Sequence, residues 1–188
     1  NGKPLLRPSI LEEDLRITED MPEQEAIRRG KLLKLEALGI NPFGQRYEVS
    51  AFSQDLKDKY VEKTHEELEE EIVNVSIAGR IMAIRDMGKV AFILVQDKKG
   101  GMQAYLRKDG LTELEWEVFK LADIGDIVGI EGKLMKTRTG ELTIKTAKYT
   151  HLVKSLRPPP EKYHGLADIE ERSRRRYVDL MVNEDSRR

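Results

Sequence analysis

Hydrophobic and polar positions along the chain keep two different periods, and the change falls near residue 72. Before it the spacing is helical. PEQEAIRRGKLLKLEALG places Pro22 and Glu23 in a first turn, sets Ile27, Leu32, Leu35 and Leu38 on one flank, and ends on Gly39, which suits a helix terminus. This predicts an amphipathic helix with Gly30 inside it and Arg28, Arg29, Lys31 and Lys34 on the other flank. INPFG at 40–44 breaks the chain. Two shorter helices are expected in SQDLKDKYV and THEELEEEI; a capping box opens the second, the side chains of Thr64 and Glu67 each accepting the other's backbone N–H. Residues 1–21 mix Pro4, Pro8 and many charges without a sustained period and read as a loosely ordered lead-in.

Beyond residue 72 the period is two. In VNVSIAGRIMAIRD, Val73, Val75, Ile77, Gly79 and Ile81 alternate with more polar neighbours; DMG then turns the chain into KVAFILVQD, and KKGG turns it into MQAYLRKD. TELEWEVFKLA reads as a short helix, followed by the strands DIVGIEGKLMKT and ELTIKTAKYTHLV around an RTG turn. Three strands, a helix and two strands is the order of a five-stranded OB-fold barrel. The expected architecture is therefore mainly β, with a lead-in and helical extension at 1–71, the barrel at 72–155, and a linker at 156–188 carrying a hinge helix around Arg174, Arg175 and Arg176. Gly79 falls mid-strand, where a closed barrel needs a bulge or sharp coil. Trp116 and Phe119 on the bridging helix are expected to plug the barrel end.

Barrels of this type take an oligonucleotide across the second and third strands. If Ala91, Ile93, Val95, Met102, Ala104 and Leu106 face the core, alternation throws Phe92, Gln103, Tyr105 and Arg107 outward. The unbroken apolar run through Ile93 and Leu94 leaves the opposite register, with Phe92 inward, open at this point. In the outward register Phe92 offers a stacking face to any unpaired base, and Gln103 offers an acceptor and two donors to a base edge. Arg85 stands beside the DMG turn as a donor, and Glu141, just after the RTG turn, as an acceptor. Between 133 and 157 the only acid is Glu141, against Lys133, Lys136, Arg138, Lys145, Lys148, Lys154 and Arg157, a bias that draws phosphates. Lys136 and Arg138 are the candidate phosphate contacts there; Arg28 and Arg29 on the first helix are either further contacts or a solvated face. The acidic stretch at 55–71 should turn away from a phosphate backbone.

Net charge excludes little, since 33 Lys and Arg meet 34 Asp and Glu. With no Cys there is no disulfide, thiolate zinc site or Cys nucleophile. His65, His151 and His164 are scattered without ligand spacing, so no metal site is expected. No apolar run approaches the roughly 20 residues of a membrane span, and a cytoplasmic chain is expected.

Taken together, EALGINPFG, VSIAGRIMAIRDMGKVAFILVQD, LADIGDIVGIEGKLMKTRTGELTIK, LRPPPEKYHGLADIEERSRRRYVDL and NEDSRR resemble, in order, the N-terminal anticodon-binding region of bacterial-type class II lysyl-tRNA synthetases. The resemblance implies that Phe92 stacks on the central anticodon uridine, that Gln103 and Arg85 contact it, and that Glu141 contacts a neighbouring base. It implies tRNA(Lys) as partner, and a full-length homodimer whose catalytic domain uses ATP and Mg²⁺ to attach lysine. The class II signature motifs are missing here, so the chain by itself is expected to bind tRNA without cofactor and without catalysis. Aspartyl and asparaginyl enzymes share the ring and amide, so an anticodon domain of that kind is the nearest alternative. A stand-alone single-strand binder is the other.

Overall fold

The structure is a computed structural model and describes residues 23–42, 45–156 and 178–182. The lead-in at 1–21 and the hinge helix lie outside the described residues.

Helix α1 (Glu23–Ala37) forms where the helical period predicts, but rotated. Its buried stripe is Glu25, Arg28, Leu32 and Leu35, whereas Ile27 and Leu38 are 44% and 41% exposed. Arg28 takes a core-facing place because its Nη1 donates to the carbonyls of Ile124 at 2.8 Å and Ser155 at 3.1 Å, which offsets part of the cost of burying the guanidinium and ties α1 to the loops flanking β5 and β6. The chain then forms a short strand, β1 (Gln45–Val49), that the sequence pattern did not predict. Helices α2 (Ser53–Tyr60) and α3 (His65–Glu71) follow, with the expected Thr64–Glu67 capping box on α3.

Strands β2 (Asn74–Asp86), β3 (Val90–Asp97), β4 (Gly100–Arg107), β5 (Ile127–Lys136) and β6 (Leu142–Val153) close in the order β2-β3-β4-β6-β5. All pairs are antiparallel except β4–β6, whose parallel contact seals the barrel. Helix α4 (Glu113–Lys120) bridges β4 and β5. Its Trp116 and Phe119 are buried against the barrel core, and Phe119 meets Tyr149 edge-on at 5.5 Å. Glu115 closes a capping box with Thr112 through one oxygen and accepts the Tyr149 backbone N–H through the other at 2.7 Å, which fixes the plug on β6.

Alternation on β2 is lost in its first half. Ile77 to Ile81 are all buried, because the outer wall of β2, β5 and β6 is covered by a second apolar cluster of Leu32, Val49, Ala78, Ile127, Leu152, Val153 and Leu156. At Gly79 a Cβ would lie 2.5 Å from the Gln96 carbonyl oxygen, so only glycine lets β3 cross here; the register shift itself comes between Ile81 and Ala83. On the same wall the Tyr47 ring lies against Gly129, and burial together with Glu131 raises its phenol pKa. A further strand, β7 (Val178–Val182), pairs in parallel with β1 and places Leu180 against this cluster.

Beneath α1 sits a buried ionic knot. Lys154, fully buried, donates to Asp123 and Asp126, both at 2.7 Å, and to the Leu121 carbonyl at 3.1 Å. Asp126 also accepts the N–H groups of Asp123 and Ser155. Burial acts to raise the Asp123 carboxyl, but Lys154 and Lys31 outweigh it and hold it below the usual range. Burial raises that of Asp126. Each charge has a partner and most remaining donors and acceptors are filled, the condition under which a buried ion pair is tolerated.

Candidate nucleic-acid interface

The cover of α1, β1 and β7 leaves the outer face of β3 and β4 open. Ala91, Ile93, Val95, Met102, Ala104 and Leu106 are buried, which settles the register with Phe92, Leu94, Gln103 and Tyr105 on the outside. Pairing arranges these side chains in rows across the strands. One row runs Arg85, Phe92, Tyr105, Lys145; the next runs Ala83, Leu94, Gln103, Thr143. Phe92 and Gln103 are thus diagonal neighbours on adjacent strands, a spacing of roughly 7–8 Å between backbones. The Phe92 ring leans on that of Tyr105 with centroids 5.0 Å apart and planes 39° from parallel.

Local turns hold this face in place. Asp86 caps the β2–β3 turn by accepting the Gly88 N–H at 2.9 Å, while Lys120 of α4 neutralises its other oxygen at 3.0 Å. The Gly88 N–H, then Lys120, lower the Asp86 pKa, and the Arg85 side chain beside it is exposed. At the other end, Thr137 and Glu141 exchange hydrogen bonds across the β5–β6 turn, whose Gly140 takes a φ of +85°. Glu141 is exposed two residues before Thr143, the β6 partner of Gln103. The turn therefore adjoins the Gln103 end of the face.

An exposed arginine, two half-exposed rings and a carboxamide share the open outer face, with a polar loop at one end, and these are groups that can stack on and hydrogen-bond unpaired bases. Residues 75–152 match the family model described as OB-fold nucleic acid binding domain, of the tRNA anticodon type. Lysine–tRNA ligases match over most of the chain: the protein of Bacillus cytotoxicus is 52% identical over 169 residues, 90% of this chain. Those of Streptococcus suis and Streptococcus pyogenes are 50% and 49% identical over 168 residues, 89% of it. Residues 75–152 form an OB-fold domain of the tRNA anticodon type, within a chain homologous to lysine–tRNA ligases. The chain spans about a third (34%) of the length of these curated relatives.

The remaining predicted residues lie in different surroundings, some on the OB-fold domain and some outside it. Arg138 is exposed in the β5–β6 turn, next to the open face. Lys136 instead points its ammonium at the Val61 carbonyl, 3.0 Å away beside α2. Arg29 pairs with Glu25 at 3.3 Å, and Arg28 is consumed by the two carbonyls that anchor α1. The basic edge of 133–157 is thinner than its sequence suggests. Lys154 is buried in the ionic knot and Lys133 is paired with Glu69 at 3.2 Å, which leaves Arg138, Lys145 and Lys148 exposed among the described residues; Arg157 lies outside them. The acidic helices do not simply turn away: α3 lies along β5 and Glu69 neutralises part of this edge.

Leu94, 40% exposed in the middle of the face, went unremarked as a site residue, although the alternation that exposes Phe92 exposes it too. Among the described residues no group of three His, Cys, Asp or Glu is placed to hold a metal ion, and no helix is long and apolar enough to cross a membrane.

Proposed function

We propose that this domain reads the anticodon of lysine tRNA for a lysine–tRNA ligase. Phe92 stacks on the central base, Gln103 and Arg85 bond its edge, Glu141 meets a flanking base, and Arg138 draws a phosphate. The observation that carries this reading is the outward row of Arg85 and Phe92 with Gln103 one step along it. A stacked base is worth roughly 1–3 kcal/mol whatever its identity, so Phe92 supplies affinity, while the carboxamide supplies choice. The division at residues 71 and 155, and a linker beyond it towards a catalytic domain, belong to the same reading. So do attachment of lysine with ATP and Mg²⁺ by the whole enzyme, its homodimer and a cytoplasmic location; the 188 residues by themselves bind without activating lysine.

Titration with lysine anticodon stem-loops carrying single-base changes, at fixed salt, tests it. Phe92→Ala weakens every stem-loop by about 1–3 kcal/mol, and Gln103→Ala erodes mainly the discrimination at the central base. Equal losses on all sequences for both variants would point to a non-specific single-strand binder. Retained central discrimination with a preference for another third base would point to an aspartyl or asparaginyl system.

A further inference from the structure

The anticodon reading uses one ring, yet the face presents two. Tyr105 is the direct cross-strand partner of Phe92, half-exposed on the same side of the sheet. The row that contains them has a cation at each end, Arg85 next to Phe92 and Lys145 next to Tyr105, and both are exposed. The Arg107 guanidinium, the other cation near Tyr105, is occupied by Asp109 through two hydrogen bonds of 3.0 and 2.8 Å. The ring planes differ by 39°, so one base cannot lie parallel to both rings. Two bases can, each shifted towards the outer flank of its own ring, where a cation meets the adjoining phosphate.

We propose that Tyr105 is a second stacking site, holding the base next to the one on Phe92, so that an unpaired RNA strand runs across β2, β3, β4 and β6 along this row. The inference rests on the anticodon reading and names a residue that reading does not use. Stacking needs the ring and not the hydroxyl. A ring that only buttressed Phe92 would lack a base of its own.

The test is a coupling measurement with the 188-residue chain and three anticodon stem-loops: intact, and abasic at the position on either side of the central base. Tyr105→Leu weakens binding of the intact loop about fivefold or more, the lower end of one stacked base. It has little effect on one of the two abasic loops and the full effect on the other, whereas Tyr105→Phe behaves like the parent on all three. Equal weakening by Tyr105→Leu on all three loops, or none on the intact loop while Phe92→Ala weakens it, overturns the second site and leaves the anticodon reading standing. If Phe92→Ala also leaves the intact loop unchanged, that reading fails and the second site with it. Circular dichroism and urea midpoints of Tyr105→Leu, set against those of Tyr105→Phe, which keeps the ring packed, separate misfolding of the Leu variant from lost stacking.

Discussion

Acid should loosen this domain through one imidazole. His151 is buried on β6, opposite Val128, where desolvation first and the Lys154 charge second push its pKa down to about 3, against the help of a hydrogen bond to the Pro42 carbonyl. In the unfolded chain the same group titrates near its ordinary value of 6.5. Because the folded value is depressed, the unfolded state binds the extra proton; stability is full above pH 6.5 and falls as pH drops towards 3. The limiting slope is about 1.4 kcal/mol per pH unit, which integrates to about 2 kcal/mol lost between pH 7 and pH 5 and about 3 kcal/mol by pH 4. Urea unfolding of the parent and of His151→Gln at pH 7, 6 and 5 measures it. Asp126, raised by burial, titrates in both proteins, so the difference between the two curves isolates the imidazole. The Gln variant should start less stable and lose about 2 kcal/mol less over that interval. Parallel curves would refute the argument and place a hydrated, protonatable His151 on β6.

Three further perturbations follow from packing and hydrogen bonds. Gly79→Ala puts a methyl 2.5 Å from the Gln96 carbonyl oxygen and 2.8 Å from Val95 Cγ1, and should lower the urea midpoint by about 1–3 kcal/mol equivalent at unchanged slope. Glu115→Ala removes both the α4 capping box and the acceptor for the Tyr149 N–H; a loss of about 1–3 kcal/mol, with faster hydrogen exchange at Tyr149, is the expected result. Arg28→Ala and Arg138→Ala should part company: the first costs about 1–3 kcal/mol of stability and little RNA affinity, the second the reverse, with a salt dependence of binding shallower by about one unit.

The barrel was legible because its strands carry stretches of alternation, and because Gly marks each turn between them, with Asp at all but the β5–β6 turn. The open face was only half legible: the apolar run through Ile93 and Leu94 allows either register, and burial of Ala91 and Ala104 is what sends Phe92 and Gln103 out. What could not be read depends on partners distant in sequence. Arg28 and Lys154 look like surface cations until Ile124, Ser155, Asp123 and Asp126 are brought to them. β1 is five residues long and becomes a strand through β7, which lies past the barrel within the stretch expected to be linker. Burial of Ala78 and Arg80 on the outer wall likewise follows from what covers β2 and not from β2 itself.

The β1–β7 ladder joins Gln45 to Val178, with the whole barrel lying between them in sequence. During synthesis β1 leaves the ribosome long before its mate exists, so its N–H and C=O groups wait in water while the barrel closes. Loop-closure entropy for a span of that length is largely spent already once the barrel has folded and drawn the two ends together. The ladder is therefore a late clasp, fastened once the barrel between its halves has closed.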